Sequence, residues 1–136
     1  MAKKFNGKVC PECGEGRLRH GTKQISFTYR GETLIYGQVG AWCSHCDEGV
    51  MTGTESASTA AEVQAFMDKV DEAERMLLLR VRRKLRLTQK QAAALTGGGH
   101  NAFSRYERGE ARPVPAVVNL FRVLDKHPEL IKELAA

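Results

Sequence analysis

The chain has four cysteines, and they form two C-x-x-C pairs, Cys10-Pro11-Glu12-Cys13 and Cys43-Ser44-His45-Cys46. Two such knuckles supply four soft ligands from two tight turns, the donor set of a tetrahedral S₄ metal cage. Pro11 stiffens the first turn, and Gly14 tolerates a backbone that aims amide groups at sulfur. With every coordination position filled by Cys10, Cys13, Cys43 and Cys46, no place remains for water, so the expected ion is structural rather than catalytic. Zinc is favoured, although a rubredoxin-like iron site uses the same four thiolates. His45 inside the second knuckle is an alternative donor and otherwise an exposed loop histidine. Redox dithiols or disulfides are the competing use of these cysteines. A thioredoxin-type motif needs one pair opening a helix in a βαβ setting, and that pattern is missing.

A chain of 136 residues forms one domain or two small ones. Small domains need staples, metals among them. Between the knuckles, Ile25, Phe27 and Tyr29 alternate with Ser26 and Thr28, predicting a half-buried strand. Arg30-Gly31-Glu32 turns the chain, and Thr33 to Val39 forms a second strand. Knuckle, hairpin, knuckle is the order of a zinc ribbon. From Asp47 to Ala60 the Gly/Ser/Thr-rich composition predicts a linker. Thr59 to Glu62 reads as a capping box opening a helix, with Val63, Phe66, Met67 and Val70 as its packing face. A next helix carries Leu78, Val81 and Leu85. A second capping box, Thr88 to Gln91, opens another helix, which Gly97-Gly98-Gly99 ends. A short helix from about His100 to Arg108 stops at Gly109. Ala116 to Leu124 forms an amphipathic helix, His127-Pro128 breaks it, and a last turn spans Glu129 to Leu134. The fold class is α+β: a Cys₄ zinc ribbon with a small β-hairpin over residues 1–60, linked to an all-α five-helix domain over residues 61–136.

Charge is unevenly placed. Residues 75–112 hold ten basic residues against Glu107 and Glu110, a net of +8, whereas residues 62–74 carry a net of −4. A focused positive segment suits a polyanion. No apolar run approaches the roughly 20 residues that cross a bilayer. The basic N-terminus lacks the apolar stretch of a signal peptide, so the cytoplasm is the expected location. His20, His45, His100 and His127 are scattered and no cysteine is spare, so no nucleophile–base constellation suggests an enzyme.

Leu87-Thr88-Gln89, Gly97, Phe103-Ser104-Arg105-Tyr106-Glu107, Gly109 and Pro113 resemble the helix-turn-helix of the Xre/Cro repressor family. That resemblance implies a phosphate contact for Gln89, a core place for Phe103, and an Arg82–Glu107 pair, making Glu107 structural. Asn101 and Arg105 are four apart, hence on one face of the reading helix. Asn suits the adenine edge and Arg the guanine edge; otherwise they are an exposed polar pair. Lys90, Ser104 and Arg108 are candidate phosphate contacts, with Arg83 and Lys84 as further ones. Gly98-Gly99 stands where most members place an apolar residue and a Ser/Thr cap. One reading helix covers a short footprint, so a dimer on a palindromic operator in double-stranded DNA is expected.

Taken together, Cys10-Pro11-Glu12-Cys13-Gly14, Phe27-Thr28-Tyr29-Arg30-Gly31, Cys43 to Cys46, Leu87 to Lys90, Gly97 to Gly99, Asn101 to Glu107 and Leu124 to Leu130 resemble the MqsA (YgiT) antitoxins from Val9 onward. The resemblance implies a type II toxin–antitoxin role. Its zinc domain would neutralise an MqsR-like mRNA-cleaving toxin, and its C-terminal domain would form a homodimer repressing the operon. The residues before Val9 depart from the family's start and read as a disordered extension. The alternatives are a zinc-ribbon Xre-type regulator without a toxin partner and an electron carrier using the Cys₄ site.

Overall fold

The computed structural model describes residues 4–134. The chain divides into two compact units, residues 1–67 and 68–136. Five helices occur among the described residues, four α-helices and a terminal 3-10 helix. None is long and apolar enough to cross a membrane.

The N-terminal unit is built on two antiparallel strands, β1 (Leu18–Tyr29) and β2 (Glu32–Cys43), joined by Arg30-Gly31. Both turn residues have positive φ, 51° and 87°, the two-residue loop that matches strand twist. Each strand is longer than the alternation of side chains predicts. Pairing continues from Leu18↔Cys43 to Tyr29↔Glu32, through Gly21, Gly37 and Gly40, which carry no side chain to show the period. A short strand, β3 (Gly49–Val50), pairs with β2 at Ala41 and Trp42. Gly49 is required there, because a Cβ would lie 2.4 Å from the Trp42 ring.

Helix α1 (Gly53–Lys84) overturns the expected linker and the expected pair of separate helices. It opens at Thr52, not Thr59. The Thr52 N–H donates to Glu55 Oε1 at 2.9 Å, and the Glu55 N–H donates to Thr52 Oγ1 at 3.2 Å, a capping box seven residues before Thr59. The hydroxyl-rich composition that resembles a linker instead fastens helix to sheet. Buried Thr59 donates to Gln38 Oε1 at 2.7 Å, and Gln38 Nε2 donates to the Glu55 carbonyl at 3.0 Å. His20 Nε2 lies 2.9 Å from Glu55 Oε2. Phe27 meets Phe66 of α1 edge-on, with centroids 6.2 Å apart.

Residues 4–8 are not a loose extension. Phe5 packs against the small core of Cys10, Leu18 and Ala41, and backbone bonds run from Gly7 N–H to the Leu18 carbonyl and from Leu18 N–H to the Lys8 carbonyl. Residues 1–3 lie outside the described residues.

In the C-terminal unit, the second half of α1 is joined by α2 (Gln89–Thr96), α3 (Ala102–Glu107), α4 (Pro115–Lys126) and the 3-10 helix Pro128–Glu133. Their core is Leu78, Val81, Ala92, Ala93, Phe103, Val117, Phe121 and Leu124. Phe103 is fully buried, 5.3 Å from the Phe121 ring. The Thr88 capping box forms as expected. Helices α1, α2 and α3 each end in a Schellman motif, with Arg86, Gly97 and Gly109 in the left-handed conformation at φ 57°, 76° and 74°. That conformation costs a non-glycine residue roughly 1 kcal/mol.

Candidate metal centre and nucleic-acid interface

The two knuckles bring the four sulfurs of Cys10, Cys13, Cys43 and Cys46 within 4.8 Å of one another. Cys10 Sγ lies 3.7 Å from Cys46 Sγ, and Cys13 Sγ 3.7 Å from Cys43 Sγ. This is not disulfide spacing, which is about 2.05 Å. It is the edge of a tetrahedron of sulfurs around a metal at about 2.3 Å, an edge of about 3.8 Å. The knuckles are stitched to each other as well. Arg17 N–H donates to Ser44 Oγ, and Ser44 N–H donates to the Arg17 carbonyl, both at 3.1 Å.

Backbone amides converge on the sulfurs. Gly16 N–H donates to Cys13 Sγ at 3.4 Å, and the N–H groups of His45 and Cys46 donate to Cys43 Sγ at 3.2 and 3.3 Å. The Cys46 amide, against burial and with help from the His45 amide, brings the Cys43 thiol down to about 6. The Gly16 and Glu15 amides lower Cys13. The Glu48 amide pulls Cys46 down too, but burial and the neighbouring sulfurs outweigh it and push that thiol up to about 12. Amides favour thiolate at one cysteine of each knuckle, Cys13 and Cys43, while crowding opposes a further thiolate at Cys46. A cation at the centre resolves that conflict, so the donor set fits a thiophilic metal. Gly16 carries a further requirement that its sequence context does not reveal: it is buried, and a Cβ there would lie 2.4 Å from Cys43 Sγ. His45 stays out of the cluster. It is exposed, with Nε2 2.9 Å from Glu15 Oε2.

In the C-terminal unit, α2 and α3 are two short helices joined across the triple glycine. Helix α3 is shorter than the span expected for a reading helix, from His100 to Arg108. Asn101 stands at its N-cap and makes no side-chain capping bond, and His100 lies in the turn. The Arg105 N–H donates to the Asn101 carbonyl at 3.0 Å, so the two are one helical turn apart, and both are exposed. Lys90 is exposed at the start of α2, and Ser104 is half-buried.

Other basic residues are tied up within the unit. Arg82 holds Glu107 through Nε and Nη2 at 2.6 and 2.9 Å and the Leu87 carbonyl through Nη1 at 2.9 Å. Gln89 Nε2 donates to Glu107 Oε1 at 3.1 Å, so its amide already has a protein partner. Arg80 grips Asp125 with two bonds of 2.9 Å, and Lys84 Nζ reaches the Asp125 carbonyl at 2.6 Å. Arg112 pairs with Asp71, and Arg108 with Glu110 at 3.0 Å. Residue counts overstate the charge available to a partner, because pairing is invisible to a count.

The chain matches the family described as the antitoxin component of bacterial toxin-antitoxin systems, MqsA, over residues 8–135. It belongs to the MqsA antitoxin family. It is 47% identical over 129 residues to Antitoxin MqsA of Escherichia coli K12, covering 92% of this chain and 98% of that protein. Among solved structures, the N-terminal domain of the E. coli protein MqsA aligns with 38% identity and a TM-score of 0.44, over 46% of this chain and 96% of that one. The MqsA family is an antitoxin family and not an enzyme family, and an antitoxin implies a toxin partner.

Proposed function

We propose that this protein is the antitoxin of a type II toxin–antitoxin system: its N-terminal unit neutralises an MqsR-like mRNA-cleaving toxin, and its C-terminal unit represses its own operon. The observation that carries the reading is the family match, which runs through both units, residues 8–135. One zinc ion held by Cys10, Cys13, Cys43 and Cys46 would cross-link the two knuckles and supply structure alone, since four thiolates leave no open position. The toxin-binding part is assigned to residues 1–60 and the DNA-binding and dimerising part to residues 61–136, both acting in the cytoplasm.

On DNA, Asn101 and Arg105 would read base edges from the exposed face of α3. Lys90, Ser104 and Gln89 would hold phosphates, with Glu107 orienting Gln89, and Arg108 would do so by exchanging its exposed partner Glu110 for a phosphate. Homodimerisation is supported by exposed apolar side chains around α4 and the 3-10 helix, Val114 at 56%, Val123 at 47% and Leu130 at 38%, surface that a second copy would cover. The experiment is co-expression with the toxin encoded beside its gene, paired with binding to a duplex from its own promoter. Growth rescue together with promoter binding is expected. Failure to rescue, with promoter binding intact, would favour the regulator without a toxin.

A further inference from the structure

Helices α1, α2 and α3 end in the same two backbone hydrogen bonds, and each places the following residue in the left-handed region. At α2 the bonds are Gly98 N–H to the Ala93 carbonyl and Gly97 N–H to the Ala94 carbonyl; at α3 they are Glu110 to Arg105 and Gly109 to Tyr106. At α1 they are Leu87 N–H to the Arg82 carbonyl, 3.1 Å, and Arg86 N–H to the Arg83 carbonyl, 3.0 Å. Glycine serves the first two ends without strain. The third uses an arginine at φ 57°, where an L side chain crowds its own backbone. What arginine adds at that position is a guanidinium.

The fold makes no use of that guanidinium. Arg86 is exposed, and among the described residues no hydrogen bond or ion pair engages its side chain. Arg75, Arg80, Arg82 and Arg112 each hold a carboxylate in the same unit. Its position is nevertheless well fixed. The next residue, Leu87, has its carbonyl held by Arg82, and Arg82 also grips Glu107 at the end of α3. Thr88 then caps α2. Arg86 is thus anchored at the junction that sets the start of α2 against the helix bearing Arg105.

We propose that Arg86 is a DNA-backbone contact, a phosphate-binding guanidinium held beside the reading helix by a left-handed helix end. The proposal rests on the DNA-binding function proposed above. A single phosphate contact contributes about 0.9 to the slope of log affinity against log salt. Because a homodimer carries two copies, Arg86→Gly in the full-length protein should lose roughly 25- to 100-fold in affinity at about 0.1 M salt. The loss should be equal on a promoter duplex and on a random duplex of the same length, with the salt slope reduced by about 2, one contact from each copy. Its thermal midpoint should not fall, because glycine relieves the left-handed strain. Arg86→Lys should keep most of the affinity. Unchanged affinity and slope in Arg86→Gly, or Arg86→Lys binding as weakly as Arg86→Gly, would overturn the proposal. Wild-type protein binding neither duplex at low salt would instead remove the DNA-binding function, and this proposal with it.

Discussion

Arg82 and Glu107 are joined by two hydrogen bonds, Nε to Oε2 at 2.6 Å and Nη2 to Oε1 at 2.9 Å, with side chains only 13% and 8% exposed. The pair ties the end of α1 to the end of α3, and the third Arg82 bond holds the loop between α1 and α2 through Leu87. Helix α3 therefore takes its position from a side-chain fork rather than from its own six residues, too few to be stable alone.

Breaking the fork should loosen the C-terminal unit. Either Arg82→Ala or Glu107→Ala leaves a largely buried charge without its partner, at a cost of roughly 3–5 kcal/mol. The double variant should cost little more than either single one. Denaturant melts check this, and additive losses would mean the two act separately. The pair also has a pH dependence. Burial raises the Glu107 carboxyl, but the bonds from Arg82 and Gln89 outweigh it and hold it below its ordinary value of 4.5. Its contribution is present above that value and fades as pH falls through the lowered one, so acid should weaken this unit and Glu107→Gln should flatten the loss.

Chelation of the metal should unfold the N-terminal unit while the α2–α4 core persists. Cys43→Ala should do the same. Native mass spectrometry is expected to find one metal ion per chain, and colourless protein would exclude iron. Gly16→Ala, whose added methyl would meet Cys43 Sγ at 2.4 Å, should abolish binding. Gly14→Ala, with nothing within 4 Å of its added methyl, should be milder despite its positive φ. Equal metal content in the two variants would dismiss the steric argument.

Thr52→Ala removes the N-cap of α1 and should lower stability by about 1 kcal/mol. Thr59→Ala should not disturb helix initiation and instead cuts the bond to Gln38. Hydrogen exchange at residues 53–57 distinguishes the two. Absence of protection at residues 53–57 in the wild-type protein would return the helix start to Thr59. The Thr52 amide and His20 hold the Glu55 carboxyl below its ordinary value, so this fastening is complete above that value and weakens as pH falls.

Arg105→Ala should cost about 1–3 kcal/mol on the promoter duplex and relax preference at one base. Asn101→Ala should behave alike at a neighbouring base. An equal loss on random DNA would move Arg105 from base reading to phosphate binding.

Local chemistry was legible in the sequence wherever it was carried by residues close together. The C-x-x-C spacing marked the knuckles, Thr88 and Gln91 marked the start of α2, and the triple glycine marked its end, because turns and caps are fixed by a few adjacent side chains. The Arg82–Glu107 pair followed from resemblance, not from spacing. The start of α1 was misplaced because two capping boxes lie seven residues apart, and only burial of Thr59 against Gln38 shows which one opens the helix. The packed segment from Lys4 to Lys8 was missed because a single Phe5 gives no periodic signal.

The sequence alone determined that two dithiol turns flank a hairpin and that a capped, glycine-punctuated helical segment carries a concentrated net positive charge. Tertiary structure decided which of those charges remain available, since Arg80, Lys84 and Arg112 meet Asp125 and Asp71 from 41 or 45 positions away in the chain. It likewise decided that Arg86 occupies a left-handed helix end. Neither fact is written in nearest neighbours, because ion pairing and backbone handedness at that helix end depend on where distant parts of the chain are brought to rest.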